Sequence, residues 1–129
     1  MNVKVLAREY FQKLLNEKDL SVCDRMLAQD YVDHDAAPTT QPGPGSIKEF
    51  VSRFIEDYPD IQVSIEDMLA EGNKVAVRMI WRGTHRESGE KLQEMGILIL
   101  HFNEMGQLTE RWSAYKAIES LEQSPNYEE

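Results

Sequence analysis

The sequence predicts an α+β fold in which three N-terminal helices pack on a curved antiparallel β-sheet, giving a cone. Three observations carry this. From Val3 to Leu15 the apolar residues recur every three or four positions, the spacing of an amphipathic helix. From Ile61 to Ala117, runs rich in Val, Ile, Leu, Met and Trp recur with the period of two that belongs to strands. Those runs are interrupted only at Glu71-Gly72-Asn73-Lys74, Glu87-Ser88-Gly89-Glu90 and Asn103-Glu104-Met105-Gly106-Gln107, where glycine meets a need for positive φ. Four strands joined by short turns make a meander.

The first helix ends near Asn16, where Asn16-Glu17-Lys18-Asp19 forms a polar break. Asp19 or Ser21 then caps a short second helix whose inner side carries Leu20, Cys23, Met26 and Leu27. Cys23 lies on that apolar side and is read as core, not as a nucleophile. Gln29 to Asp35 fits a short strand. The next ten residues, Ala36 to Gly45, hold three of the five prolines and form a loop placed where a lid over a pocket would lie, or a plain connection. Ser46-Ile47-Lys48-Glu49 has the form of a capping box for a third helix, which Tyr58-Pro59 stops. In the first meander strand Ile61, Val63 and Ile65 share one parity while Met68 and Ala70 share the other, predicting a β-bulge at Glu66-Asp67. Residues 1–118 read as one domain and 119–129 as a polar C-terminal tail.

Facing follows from the turns. A two-residue loop at Ser88-Gly89 sets His85 opposite Leu92, Trp81 opposite Gly96 and Met79 opposite Leu98. A five-residue loop after Phe102 sets Phe102 opposite Leu108, Leu98 opposite Trp112 and Glu94 opposite Lys116. One face then gathers Met79, Trp81 and Trp112 at its middle and His85, Glu94 and Lys116 at its end, a pocket floor with a polar rim, unless these three are only solvated strand-end charges. The opposite face carries Ile97, Ile99 and Tyr115, apolar enough to need a cover, for which a second copy of the chain is the natural choice.

Composition narrows the function. Fourteen basic residues against 23 acidic give a net charge of −9, so a nucleic-acid partner is not expected. No apolar run reaches the roughly 20 residues that span a bilayer, and nothing resembles a signal peptide, so no membrane partner is expected. A single cysteine forms no internal disulfide, which points to a cytoplasmic location. Asp33, His34, Asp35, His85 and His101 offer nitrogen and oxygen ligands but in no recognised metal spacing, and no metal is expected. Neither a Gly-x-Ser-x-Gly elbow nor a phosphate-cradling glycine loop occurs.

The ordered words Asp30-Tyr31-Val32-Asp33-His34-Asp35, Tyr58-Pro59-Asp60, Ala70-Glu71-Gly72-Asn73-Lys74-Val75, Gly83-Thr84-His85, and Gly106 through Leu108, Glu110 and Trp112 span nearly the whole chain. In that order they resemble the SnoaL-like polyketide cyclase family of the nuclear transport factor 2-like superfamily. The resemblance implies the superfamily's cone-shaped fold and ring closure by an intramolecular aldol reaction without metal or organic cofactor. It also implies an acidic residue four places after the last strand's tryptophan. Lys116 stands there instead, with Gln123 in register downstream. His34 resembles the histidine of the family's pocket.

Two readings follow. In one, an enzyme moves a proton on a hydrophobic carbonyl compound of cyclase or isomerase type, with His34, His85 and Glu94 as candidate acid or base groups and Tyr31, Met79, Trp81 and Trp112 lining the cavity. In the other, a binding protein of the same fold has no turnover, and Lys116 grips an acidic ligand. A dimeric scaffold with a filled cavity is a third possibility. The expected partners are a small hydrophobic or aromatic molecule and a second subunit.

Overall fold

The computed structural model describes residues 1–118; the predicted tail, 119–129, lies outside the described residues. Helix α1 (Val3–Phe11) is capped by Asn2, whose side-chain oxygen accepts from the amides of Lys4 and Val5, both at 3.1 Å. It continues into a π-helical turn over Gln12–Asn16. That turn brings the Asn16 carboxamide against the sheet, where it accepts from the Val63 amide at 2.7 Å and donates to the Val63 carbonyl at 3.0 Å. One side chain thus serves as a strand partner and ties the helix to β2 (Gln62–Glu71).

Helix α2 (Val22–Met26) leads straight into β1 (Leu27–Asp33), and its Cys23 is fully buried with a thiol that burial pushes up to about 11, consistent with core. Helix α3 (Pro44–Asp57) starts earlier than a capping box at Ser46 requires. Pro44 occupies its first turn, where proline's fixed φ is already helical and its missing N–H costs nothing. Ser46 instead donates to the Gln41 carbonyl and Glu49 pairs with Arg53. Gly43, at φ 102°, precedes the helix, and a Cβ there would stand 2.8 Å from the Gln29 carbonyl oxygen. Only glycine lets the loop cross β1 this closely, which fixes where α3 enters the fold.

The sheet has five strands in the order β1-β5-β4-β3-β2, with β3 (Lys74–Thr84), β4 (Lys91–Phe102) and β5 (Leu108–Ala117) completing the meander. β1 pairs with β5 in parallel at one edge. The predicted bulge is present as a register shift between Ile65 and Asp67. The helices cover one face, burying Val75, Val77, Met79, Leu98, Leu100 and Phe102 to 1 % exposure or less. At about 1.5–3 kcal/mol per large side chain removed from water, this face drives the packing.

Two registers differ from the predicted ones. The β3–β4 turn is longer: His85 N–H donates to the Glu90 carbonyl at 2.9 Å, and its Nδ1 accepts from the amides of Glu87 and Ser88 at 3.3 Å each. Pairing therefore shifts by two, with Trp81 opposite Glu94 and Met79 opposite Gly96, and every side chain keeps its face. In the β4–β5 hairpin Phe102 pairs with Leu108 as predicted, but His101 pairs with Glu110, so Thr109 is an extra residue whose hydroxyl donates to the His101 carbonyl at 3.0 Å. This bulge reverses the facing of the rest of β5. Leu100 is opposite Arg111, Leu98 opposite Ser113, Gly96 opposite Tyr115 and Glu94 opposite Ala117, while Trp112 and Lys116 look outward with Ile99 and Met95.

The cause is electrostatic. An unbulged strand sets the Glu110 carboxylate beside Leu100, which has no exposed surface, and a carboxylate in such a place costs several kcal/mol. With the bulge, Glu110 faces outward and accepts from His34 Nε2 at 2.9 Å and His101 Nδ1 at 3.1 Å. Trp112 also finds a partner on that side, stacking on His34 with ring centroids 4.5 Å apart and planes at 9°. Lys74 Nζ lies 5.6 Å over the Trp112 ring.

Candidate active site

Between the helices and the inner sheet face lies a cavity of about 170 Å³. Its apolar wall comes from α1, the π turn and α3, including Phe11, Leu15, Val51 and Phe54; its sheet wall is Trp81, Glu94, Arg111 and Tyr115. Phe54 meets Trp81 edge to face at 5.5 Å, and Trp81 meets Tyr115 edge to face at 5.8 Å. Gly96 makes this arrangement possible, because a Cβ there would stand 2.5 Å from the Tyr115 ring. A larger space, about 910 Å³, runs beneath the Pro/Gly loop and shares Ile47, Phe50, Arg111 and Tyr115 with the inner cavity. Those four residues form the junction between the two spaces.

The polar groups at the junction are interlocked. Arg111 Nη2 donates to the Tyr115 hydroxyl at 2.5 Å, which leaves the phenol's own hydrogen free to donate elsewhere. Tyr115 keeps 39 % of its surface exposed at the mouth, and burial of the remainder raises its phenol above the ordinary range against the opposing pull of Arg111. Tyr115 is therefore a neutral donor at physiological pH. The Trp81 indole nitrogen and Arg111 Nε are buried without any hydrogen-bond partner. Unmet buried donors cost about 1–3 kcal/mol each.

The sequence-predicted site residues divide between the two sides of the sheet. Trp81 and Glu94 line the inner cavity together. Met79 is fully buried in the core, and Tyr31 is buried beside Arg111 with its hydroxyl unpartnered; both lie outside the cavity lining. Burial pushes the Tyr31 phenol well up and keeps it neutral. His85 closes the β3–β4 turn with its ring edge on Tyr58 at 5.3 Å, away from the cavity lining. His34, Trp112 and Lys116 are on the outer face, so the proposed common hollow for both tryptophans, His85, Glu94 and Lys116 does not form. Lys116 pairs with Met95 and is exposed, which removes it as the grip for an acidic ligand. Tyr115, expected on the outer face, lines the cavity instead. Arg111 and Tyr115 are the site residues that sequence reasoning missed. The available signal was Glu110, which an unbulged register buries beside leucine.

Among the described residues, no group of three or more His, Cys, Asp or Glu side chains is placed to hold a metal ion. No helix among them is long and apolar enough to cross a membrane.

The family model for SnoaL-like polyketide cyclases matches residues 5–124. This chain belongs to that family. Solved structures agree in fold. TsrD from Streptomyces laurentii superposes with a TM-score of 0.79 at 22% identity, over 88% of this chain and 87% of its own. IdmH from Streptomyces antibioticus gives 0.77 at 18% identity, over 90% and 93%. A SnoaL-like polyketide cyclase from Agrobacterium tumefaciens gives 0.77 at 14% identity, over 90% and 92%. At such identities the likeness is one of fold. No curated protein matches the chain. Within this SnoaL-like chain, Lys116 stands on the outer face, and the carboxylate of the cavity is Glu94.

Proposed function

We propose that this SnoaL-like protein catalyses a cofactor-independent proton transfer, of cyclase or isomerase type, on a hydrophobic carbonyl compound held between α3 and the inner sheet face. The reading rests on one observation: a carboxylate, Glu94, lines a largely aromatic and aliphatic cavity together with Arg111, Trp81, whose indole N–H is unpartnered, and Tyr115, whose hydroxyl hydrogen is free. Glu94 takes a proton from the carbon next to the carbonyl, and the electron pair moves onto the carbonyl oxygen. Trp81 and Tyr115 hold the resulting enolate. The enolate carbon then either attacks a second carbonyl, closing a ring, or is reprotonated at another position by Glu94.

The test is deuterium uptake from D2O into flat aromatic ketones such as 1-tetralone, followed by mass spectrometry. Wild-type protein is expected to speed exchange at the carbon next to the carbonyl, and E94Q to lose about 100-fold or more of that rate while retaining its melting temperature. Equal rates in the two proteins sink the assignment of Glu94. Binding of the ketone with no exchange in the wild type favours the second reading, a ligand-binding protein without turnover.

The outer sheet face supports the assembly half of the proposal, a homodimer. Leu69, Ile97 and Ile99 keep 74 %, 52 % and 43 % of their surface exposed there, an apolar stripe across β2 and β4 that a second copy would cover. Light scattering at micromolar concentration is expected to give a dimer mass for the wild type and a monomer mass for the I97E/I99E double variant. A wild-type monomer overturns it.

A further inference from the structure

An enclosed guanidinium without a counter-charge is among the costliest groups a fold can keep, because it loses water and gains no anion in return. Arg111 is partway to that position: it is half-buried at the junction, with its Nε fully enclosed. It lines both the inner cavity and the space under the loop, and it makes no ion pair with any carboxylate among the described residues. Its partner is a neutral phenol, Tyr115, and its buried Nε has none. Of the nearby acids, Glu94 lines the same inner cavity and Asp33 acts on the guanidinium from a distance, but neither forms an ion pair with it, and the others are occupied elsewhere. Asp35 accepts from the Ser113 amide and hydroxyl and Glu49 from Arg53, while Asp33 itself accepts from the Asp35 amide.

We propose that Arg111 receives a carboxylate carried by the ligand, so that the cavity takes flat hydrophobic carboxylic acids as their anions. A guanidinium presents two parallel N–H donors in one plane, matching the two oxygens of a carboxylate, and the Tyr115 hydroxyl adds a third donor at the same junction. Phe50, Phe54 and Trp81 supply the aromatic wall for the body of the ligand. Glu94 lines only the inner space, so the acid group sits at the junction and the reacting carbon further in. The inference rests on the same cavity as the proton-transfer reading, and adds to it the charge of the substrate.

Isothermal titration with 2-naphthoate and its neutral isostere 2-naphthamide tests it on the whole protein. In the wild type, naphthoate is expected to bind about tenfold or more tighter than naphthamide, an advantage that shrinks as salt is raised. In R111Q that advantage disappears while naphthamide affinity stays within about threefold, since only the charged contact is removed. R111K keeps the charge without the fork and is expected to keep only part of the advantage, which decides the matter if R111Q does not fold. Equal affinity for acid and amide in the wild type, no binding of naphthoate, or an advantage untouched in both variants overturns the proposal. Preference for naphthoate without any deuterium exchange on ketones leaves this inference standing and removes the proton-transfer reading; exchange without that preference does the reverse.

Discussion

The two hairpins of the meander differ from their predicted registers by unequal amounts, and the smaller error matters more. In the β3–β4 hairpin the pairing is off by two residues, yet Trp81 and Glu94 remain on the inner face. In the β4–β5 hairpin it is off by one, and Arg111, Tyr115, Trp112 and Lys116 all exchange sides. Strand side chains alternate, so parity governs what a site contains, while displacement along the strand only changes which neighbours touch.

Deleting single residues sharpens this contrast. Removing Thr109 takes out only the extra residue: Leu108 then adjoins Glu110, and simple alternation keeps Glu110 and Trp112 outward and Arg111 inward. It forfeits the Thr109 hydroxyl contact to the His101 carbonyl and is expected to cost no more than about 1–2 kcal/mol, with a cooperative thermal transition kept in circular dichroism. Removing Glu87 and Ser88 together shortens the other turn by an even number. It forfeits the two amide contacts to His85 Nδ1, and is expected to cost no more than about 1–2 kcal/mol with the cavity intact. A Thr109 deletion that loses the cooperative transition would show that the bulge itself, and not the parity of β5, organises the inner face.

The same contrast explains what was legible in the sequence. The helices, the five strands and the bulge in β2 follow from patterns several residues long, in which an apolar face repeats its message. The bulge at Thr109 follows from one residue. Leu108 and the downstream Trp112 fit the inner face equally well by hydrophobicity, so the apolar pattern favours the unbulged register and with it the wrong side for Arg111. Only the cost of setting Glu110 against Leu100 opposes it, together with His101 across the hairpin and His34, which lies far from Glu110 in sequence and beside it in space. For the same reason the apolar pattern puts Glu94 and Trp81 on the correct face, and Arg111 and Tyr115 on the wrong one.

The His34–Glu110–His101 bridge is therefore the outward half of the choice that turns Arg111 inward, and its contribution can be read by pH. Hydrogen bonds from His101 first and His34 second hold the Glu110 carboxyl below its usual 4.5. A carboxylate whose pKa is lowered by folding adds stability that is complete above the unfolded value and is lost as pH falls through the folded one. The E110Q variant is accordingly expected to melt below the wild type at pH 7, with the two melting curves converging as the pH drops under about 4, where the unfolded chain's carboxyl is already protonating. The gap at neutral pH is small, because Glu110 keeps 35 % of its side chain exposed and solvent screens the pairing. A gap that instead persists unchanged to pH 3 would mean that Glu110 acts through its shape and not its charge. The bulge would then owe its position to Thr109 and Trp112 alone.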